Sequence, residues 1–219
     1  MPFRELVRGF DSVERHSLHY LLSVMAHGES IAKQGALGQA SLVHDPVARI
    51  FLRRQARHEY FHELVFRSVA AGLQCGSLIP MPAILAEWHC QIQTAVRHSK
   101  LPESLLVQQV FLEGLGHIVL EQIDKELSGR TNRLTRLRGL ILRQEQQHHE
   151  FGLQLLRQEL NLDSSVRARL EPVGASLFQN AAQLLGDLSP AFAVLDADDF
   201  DYLTALRACL PDDVPGVSP

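Results

Sequence analysis

The chain has 219 residues, 46% hydrophobic and 21% charged, a balance that suits one globular domain with a sizeable core. A net charge of −4 argues against nucleic acid as the main partner, and the N-terminus MPFRELVRGF has no apolar run long enough for a signal peptide or a membrane span. Cys75, Cys90 and Cys209 are odd in number and widely spread, which argues against a disulfide framework, fits a reducing cytoplasm and reads as small buried apolar residues.

The pattern is helical throughout, with breakers where turns belong. Asp11 or Ser12 caps a first helix that runs to about Gln39. Asp45-Pro46, a cap followed by a first-turn proline, opens a second that closes near Gly72 to Gly76. Pro80 and Pro82 introduce a helix over Ala83 to His98, and Lys100-Leu101-Pro102-Glu103 marks a break before a third long helix from Ser104 to Leu127. Ser128 to Asn132 is the turn into a fourth, which ends over Asn161 to Ser164. A helix broken or bent at Pro172 then runs to about Leu188, a short one spans Asp198 to Cys209, and Pro211 to Pro219 form a loose tail. The expected architecture is all-α, one domain over residues 1–210 with additional C-terminal helices beside a four-helix bundle.

The chemistry lies on the four long helices. Glu145 and His148 sit three residues apart in ILRQEQQHHEFGLQLL, and Glu59 and His62 repeat that spacing in RQARHEYFH. Each pair has a lone glutamate upstream, Glu29 and Glu113. Residues three or four apart share a helix face. All six interrupt apolar stripes: Leu18, Leu22, Met25, Glu29 on the first helix, Leu52, Gln55, Glu59, His62, Phe66 on the second, Leu106, Val110, Glu113 on the third, and Ile141, Glu145, His148, Gly152 on the fourth. About 0.7 Glu-x-x-His pairs arise by chance in such a composition, so the weight rests on the conjunction. Heights agree as well. Glu113 stands roughly 22 Å below its helix end and Glu145 roughly 20 Å beyond its helix start, at 1.5 Å per residue. Four converging carboxylates would repel or stay protonated, and a pair of divalent cations removes that objection.

Glu63, Glu150, His58 and His149 adjoin the six but point off the stripe, which suggests solvated or supporting roles. His117, one turn beyond Glu113 on the same face, is a further candidate for contact with the site, and His27 reads as exposed. Ala32, Gly35, Ala36, Gly114, Gly116 and Gly152 cluster at ligand height, where they serve close packing, room for a substrate or local backbone distortion.

In order and spacing, Glu29, Glu59-x-x-His62, Glu113 and Glu145-x-x-His148 resemble the ferritin-like di-iron carboxylate proteins, above all the aldehyde-deformylating oxygenases. GESIAKQGALG, IQTAVRHSKLPESLLVQQVFLEG and AFAVLDADDFDYL are similar to stretches of that family in the same order, so the resemblance spans roughly residues 15–207. It implies a ferritin-like bundle in which Glu29 and Glu113 are terminal ligands on opposite metals, Glu59 and Glu145 bridge them, and His62 and His148 complete one sphere each. The implied cofactors are two Fe ions, with Mn/Fe as the alternative pair; O2 is the co-substrate. The implied reaction is reductive O2 activation on an apolar substrate such as a long-chain aldehyde, shortened to a hydrocarbon and formate. Two positions depart from the family: Gln144 stands where an acid is usual, and the run VLEQID lacks an expected tyrosine.

Beside a structural bundle that binds no metal, two other functional readings stay open. A hydroxylase resembling the di-iron tRNA hydroxylases would use the basic runs Arg130, Arg133, Arg136, Arg138, Arg143 and Arg49, Arg53, Arg54, Arg57, which could equally be solvated faces or dock an acidic reductase or ferredoxin. A ferroxidase or storage protein is the other, although the extra helices favour a monomer or dimer.

Overall fold

The computed structural model describes residues 9–130, 135–195 and 201–217, with backbone alone at 126, 127, 129, 130 and 202; among them there is no strand. Helix α1, Ser12–Leu42, begins in a reciprocal cap. The Asp11 carboxylate accepts the N–H groups of Val13 and Glu14 at 2.7 and 2.9 Å, and the Glu14 carboxylate accepts that of Asp11 at 2.7 Å. Donors that a helix start leaves unpaired are thereby satisfied. Helix α2, Pro46–Gly72, opens on Asp45, which takes the N–H groups of Val47 and Ala48. These two helices pack against each other more extensively than any other pair.

Helix α3, Ala83–Arg97, buries Trp88 completely, a contribution of about 1.5–3 kcal/mol or more for a side chain of that size. The loop before it is tied to α1 by His27, whose Nε2 lies 2.9 Å from the Ile79 carbonyl; His27 is therefore half-buried rather than exposed.

Leu101–Arg130 forms one rod in three parts: α4, Leu101–Leu105; a π-helical stretch, Leu106–Leu112; and α5, Glu113–Arg130. Every residue of the π-helical stretch is buried. A helix enclosed on all sides needs neighbours on all sides. They are α1, α3, α6 (Thr135–Leu162) and α7 (Ser164–Ala193). The break expected at Lys100–Glu103 falls instead at residues 98–100, and the rod begins at Leu101, because Pro102 lies in the first helical turn, where its missing N–H leaves nothing unpaired. Ser128 is likewise helical and not part of a turn, while Asn132, the expected start of the fourth helix, lies outside the described residues.

Helix α7 passes through Pro172 without ending, and extends beyond Leu188 to Ala193. Its buried stripe, Val166, Leu170, Gly174, Leu177, Ala181, Leu184 and Leu188, is continuous, and Pro172 is on the exposed face. Burial of that stripe offsets the roughly 3 kcal/mol that an interior proline costs. Helix α8, Tyr202–Cys209, is capped by Asp201, whose carboxylate accepts the Thr204 N–H at 3.0 Å; Asp198 lies outside the described residues.

The tail is not loose over residues 211–217. Val214 is buried, and Arg157 holds Asp213 through two hydrogen bonds of 2.6 and 2.9 Å. Gly174 admits the Pro215 carbonyl, which would lie 1.8 Å from a Cβ there. The cysteines are unpaired, as expected, but Cys90 is exposed rather than buried. No helix among the described residues is long and apolar enough to cross a membrane.

Candidate metal centre

The helical period places Glu29 on α1, Glu59 and His62 on α2, Glu113 at the first residue of α5, and Glu145 and His148 on α6, and the bundle brings all six together. Each is at most 5% exposed. They form two groups, each with ligand atoms within 4.8 Å of one another: Glu29, Glu59, His62 and Glu145, and Glu59, Glu113 and His148. Glu59 belongs to both and spans the two positions. Glu145, for which the resemblance implies a bridging role, belongs to the first alone.

The imidazoles face inward through Nδ1. His62 Nδ1 lies 2.8 Å from Glu145, 3.0 Å from Glu59 and 3.5 Å from Glu29. His148 Nδ1 lies 2.8 Å from Glu59 and 3.8 Å from Glu113. Despite these distances, both Nδ1 atoms, both oxygens of Glu59 and Glu145 Oε1 are buried without a hydrogen bond. Close approach without donor–acceptor alignment is what lone pairs converging on a cation produce, and burying such groups unpaired costs several kcal/mol. A donor set of carboxylates and imidazoles without thiolate fits Fe or Mn. The residues present therefore fit a pair of divalent ions.

An outer contact sets the tautomer of His62. His62 Nε2 donates to Gln144 Oε1 at 2.9 Å, and His148 Nε2 lies 3.1 Å from His58 Nδ1. With Nε2 carrying the proton, Nδ1 is left free to ligate. Gln144, the departure from the family pattern, thus still orients a ligand. Gln55 on α2 donates to Glu113 Oε1 at 2.7 Å. That contact has a trace in the sequence only as one polar residue on an apolar stripe.

Protons do the neutralising where cations are missing. Burial opposes charge on His62 and His148, but the surrounding carboxylates outweigh it, raising His62 far above the ordinary range and His148 to about 11. Burial pushes Glu29 up to about 8, and burial, with the charges of Glu29 and Glu59, raises Glu145 well above the ordinary carboxylate range. For Glu59 burial is overcome by His148 and His62, which hold it down at about 2. His58 is lowered to about 4 by burial and by the neighbouring His148 charge, so it remains neutral.

Other candidates fall away from the centre. His117 lies in neither group; it lines a groove with His149 and Cys209 between α5, α6 and α8. His149 bonds the carbonyls of Gln109 and Cys209. Glu63 pairs with Lys33 and Arg67, and Glu150 accepts from Gln146. Of the basic runs, Arg138 is buried against Asp124, Arg49 bonds the Val43 carbonyl, and Arg53, Arg54 and Arg57 are exposed; Arg133 lies outside the described residues.

A narrow cavity of about 40 Å³ is lined at one side by Glu29, Glu113 and Glu145. Its walls are otherwise apolar, with Val24 and Met25 from α1, Leu112 and Val119 from the rod, and Leu184 and Leu188 from α7. Gly28 and Gly116 line it, so these small residues provide room.

No protein-family model and no curated protein matches the chain. Among solved structures it is similar to "Protein 19 with aldehyde deformylating oxidase activity from Synechococcus", with a TM-score of 0.63 and 16% identity over 91% of this chain and 96% of that one. This likeness shows the fold, the ferritin-like bundle with added helices.

Proposed function

We propose that the chain is a non-haem di-iron oxygenase or oxidase that acts on a linear apolar substrate, of which a long-chain aldehyde is the first to test. The observation that carries this reading is the adjacency of two Glu/His groups sharing Glu59 and a largely apolar cavity lined by three of their glutamates. Two bound Fe ions, or Mn beside Fe, supply the redox chemistry with O2 that no side chain here can supply.

The chain's own residues divide the remaining work. Glu59 holds the two metal positions together, Glu29 with His62 and Glu113 with His148 distinguish them, and Glu145 closes the first. Leu112, Val119, Leu184 and Leu188 exclude water and hold an alkyl chain, so that a polar head rests against Glu29, Glu113 and Glu145. Electrons must come from outside the chain. The outer face of α2, with Arg53, Arg54 and Arg57 beside the exposed Phe61 and Leu64, suits an acidic donor such as a ferredoxin, and it lies next to His58.

The test is metal analysis of protein from cells supplied with iron and manganese, followed by incubation with long-chain aldehydes, O2 and a chemical reductant. Close to two metals per chain and O2-dependent loss of the aldehyde, with formate released, support the reading. Iron oxidation without substrate turnover favours storage, and a folded protein without metal sinks the enzyme.

A further inference from the structure

A chain of buried amides runs away from the metal centre. Gln55 uses both N–H groups, one to Glu113 Oε1 at 2.7 Å and one to Gln109 Oε1 at 3.3 Å. Gln109 donates to Gln55 Oε1 at 3.0 Å and to Gln39 Oε1 at 2.8 Å. Gln39 donates to the carbonyl and hydroxyl of Ser104 and to Gln108 Oε1, and Gln108 donates to the Ala32 carbonyl at 3.0 Å. All four glutamines and Ser104 are at most 1% exposed.

The two ends of an amide have nearly the same shape, but this chain can be read in one direction only. It terminates on the backbone carbonyls of Ala32 and Ser104, which accept and never donate. Turning Gln108 or Gln39 end for end would set oxygen against oxygen in a dry core, where the repulsion is strongest. With those two fixed, Gln109 must donate to Gln39, and Gln55 must offer Glu113 an N–H. The backbone is shaped to the same end. The π-helical stretch turns both Gln108 and Gln109 inward, and each meets a helix that has no side chain at that point. A Cβ on Gly35 would lie 1.8 Å from Gln108 Oε1, and one on Gly152 would lie 2.2 Å from Gln109 Cβ.

Glu113 is therefore tethered through Oε1, while Oε2 faces His148 Nδ1 at 3.8 Å. Glu29, its counterpart, has no amide donor among the described residues. We infer that Gln55, held in polarity by Gln109, Gln39 and Gln108, is a positioning residue that occupies one oxygen of Glu113 and delivers the other alone to the metal position it shares with His148. This rests on the two-metal reading above.

Cobalt(II) alone is the probe, titrated into the metal-free full chain and followed by visible absorption and calorimetry. Gln55→Met keeps the length and removes both N–H groups. It is expected to weaken one of two Co(II) ions by about 10–100-fold, with a changed spectrum for that ion, and to leave the other unaltered. In a Glu113→Ala background the same substitution should have no further effect on the remaining ion, because the group it positions is gone. No loss, a loss shared equally by both ions, or an undiminished loss in the Glu113→Ala background overturns the inference and leaves the two-metal reading standing. A wild-type chain that binds no Co(II) overturns that reading, and the inference with it. Should Gln55→Met fail to fold by circular dichroism, Gln55→Leu, which also lacks the N–H groups, carries the same comparison.

Discussion

His62 Nε2 stands 2.9 Å from Gln144 Oε1, and because an amide oxygen only accepts, the proton of the neutral ring is fixed on that nitrogen. Nδ1 then turns its lone pair toward Glu29, Glu59 and Glu145. An acid at position 144 would do this with a charge; the amide does it without one. Gln144→Leu should lower affinity at the His62 position by about 10–100-fold while the His148 position keeps its ion. Stepwise Mn(II) titration followed by electron paramagnetic resonance reads the two separately. Equal weakening of both would contradict this assignment.

Glu59 is the residue common to both groups. Glu59→Ala should therefore abolish binding of both ions, whereas Glu29→Ala and Glu145→Ala should each spare the ion held by Glu113 and His148. Counting metal per chain in the purified variants decides it, and a Glu59→Ala protein that keeps two ions removes the shared-ligand geometry.

The protons that neutralise the metal-free centre give a pH dependence with a definite sign. His148, raised to about 11 from 6.5, contributes stability that is complete below its unfolded value and declines as pH rises toward the folded one. Glu29, raised to about 8 from 4.5, contributes in the same direction and loses its share as pH rises through about 8. Glu59, lowered to about 2, is unchanged over this range. The metal-free chain should thus weaken between about pH 6 and about pH 8, while metal affinity rises about tenfold per pH unit for each proton displaced. The increase in Tm on adding Mn(II) should grow across that window; a gain that shrinks with pH would be incompatible with proton displacement.

Gly116 lines the cavity, and a Cβ built on it meets nothing within 4 Å. Gly116→Leu should fill that space without disturbing the helices or the metal count. kcat/KM for the longest aldehydes should fall by at least about tenfold, short ones being affected less. Turnover measured against chain length checks this, and a uniform loss at every length would remove the cavity as the substrate channel.

Much of this molecule was legible in one dimension because the α-helix has a rigid period. Glu59 with His62, and Glu145 with His148, had to share a face, and the breaker positions between Glu29 and Glu59 and between Glu113 and Glu145 had to bring them to one height. Asp11 and Asp45 announced helix starts through capping that depends only on neighbours in the chain. The fold class followed from the same regularity.

Contacts between distant segments decided the rest. Pro172 ends or kinks a helix by local rules, and only the buried stripe of α7 shows why it does neither. Whether His117 reaches the centre depended on what surrounds it one turn beyond Glu113 on α5, where it faces the groove shared with α6 and α8. Nothing in LVQQVFL marks the π-helical stretch, whose glutamines fit against Gly35 and Gly152 on other helices and bond partners 54 to 76 residues away. Residue identity and period are local properties and can be read from the chain. The polarity of a buried hydrogen-bond network is set where its ends meet fixed carbonyls, and that exists only in the folded state.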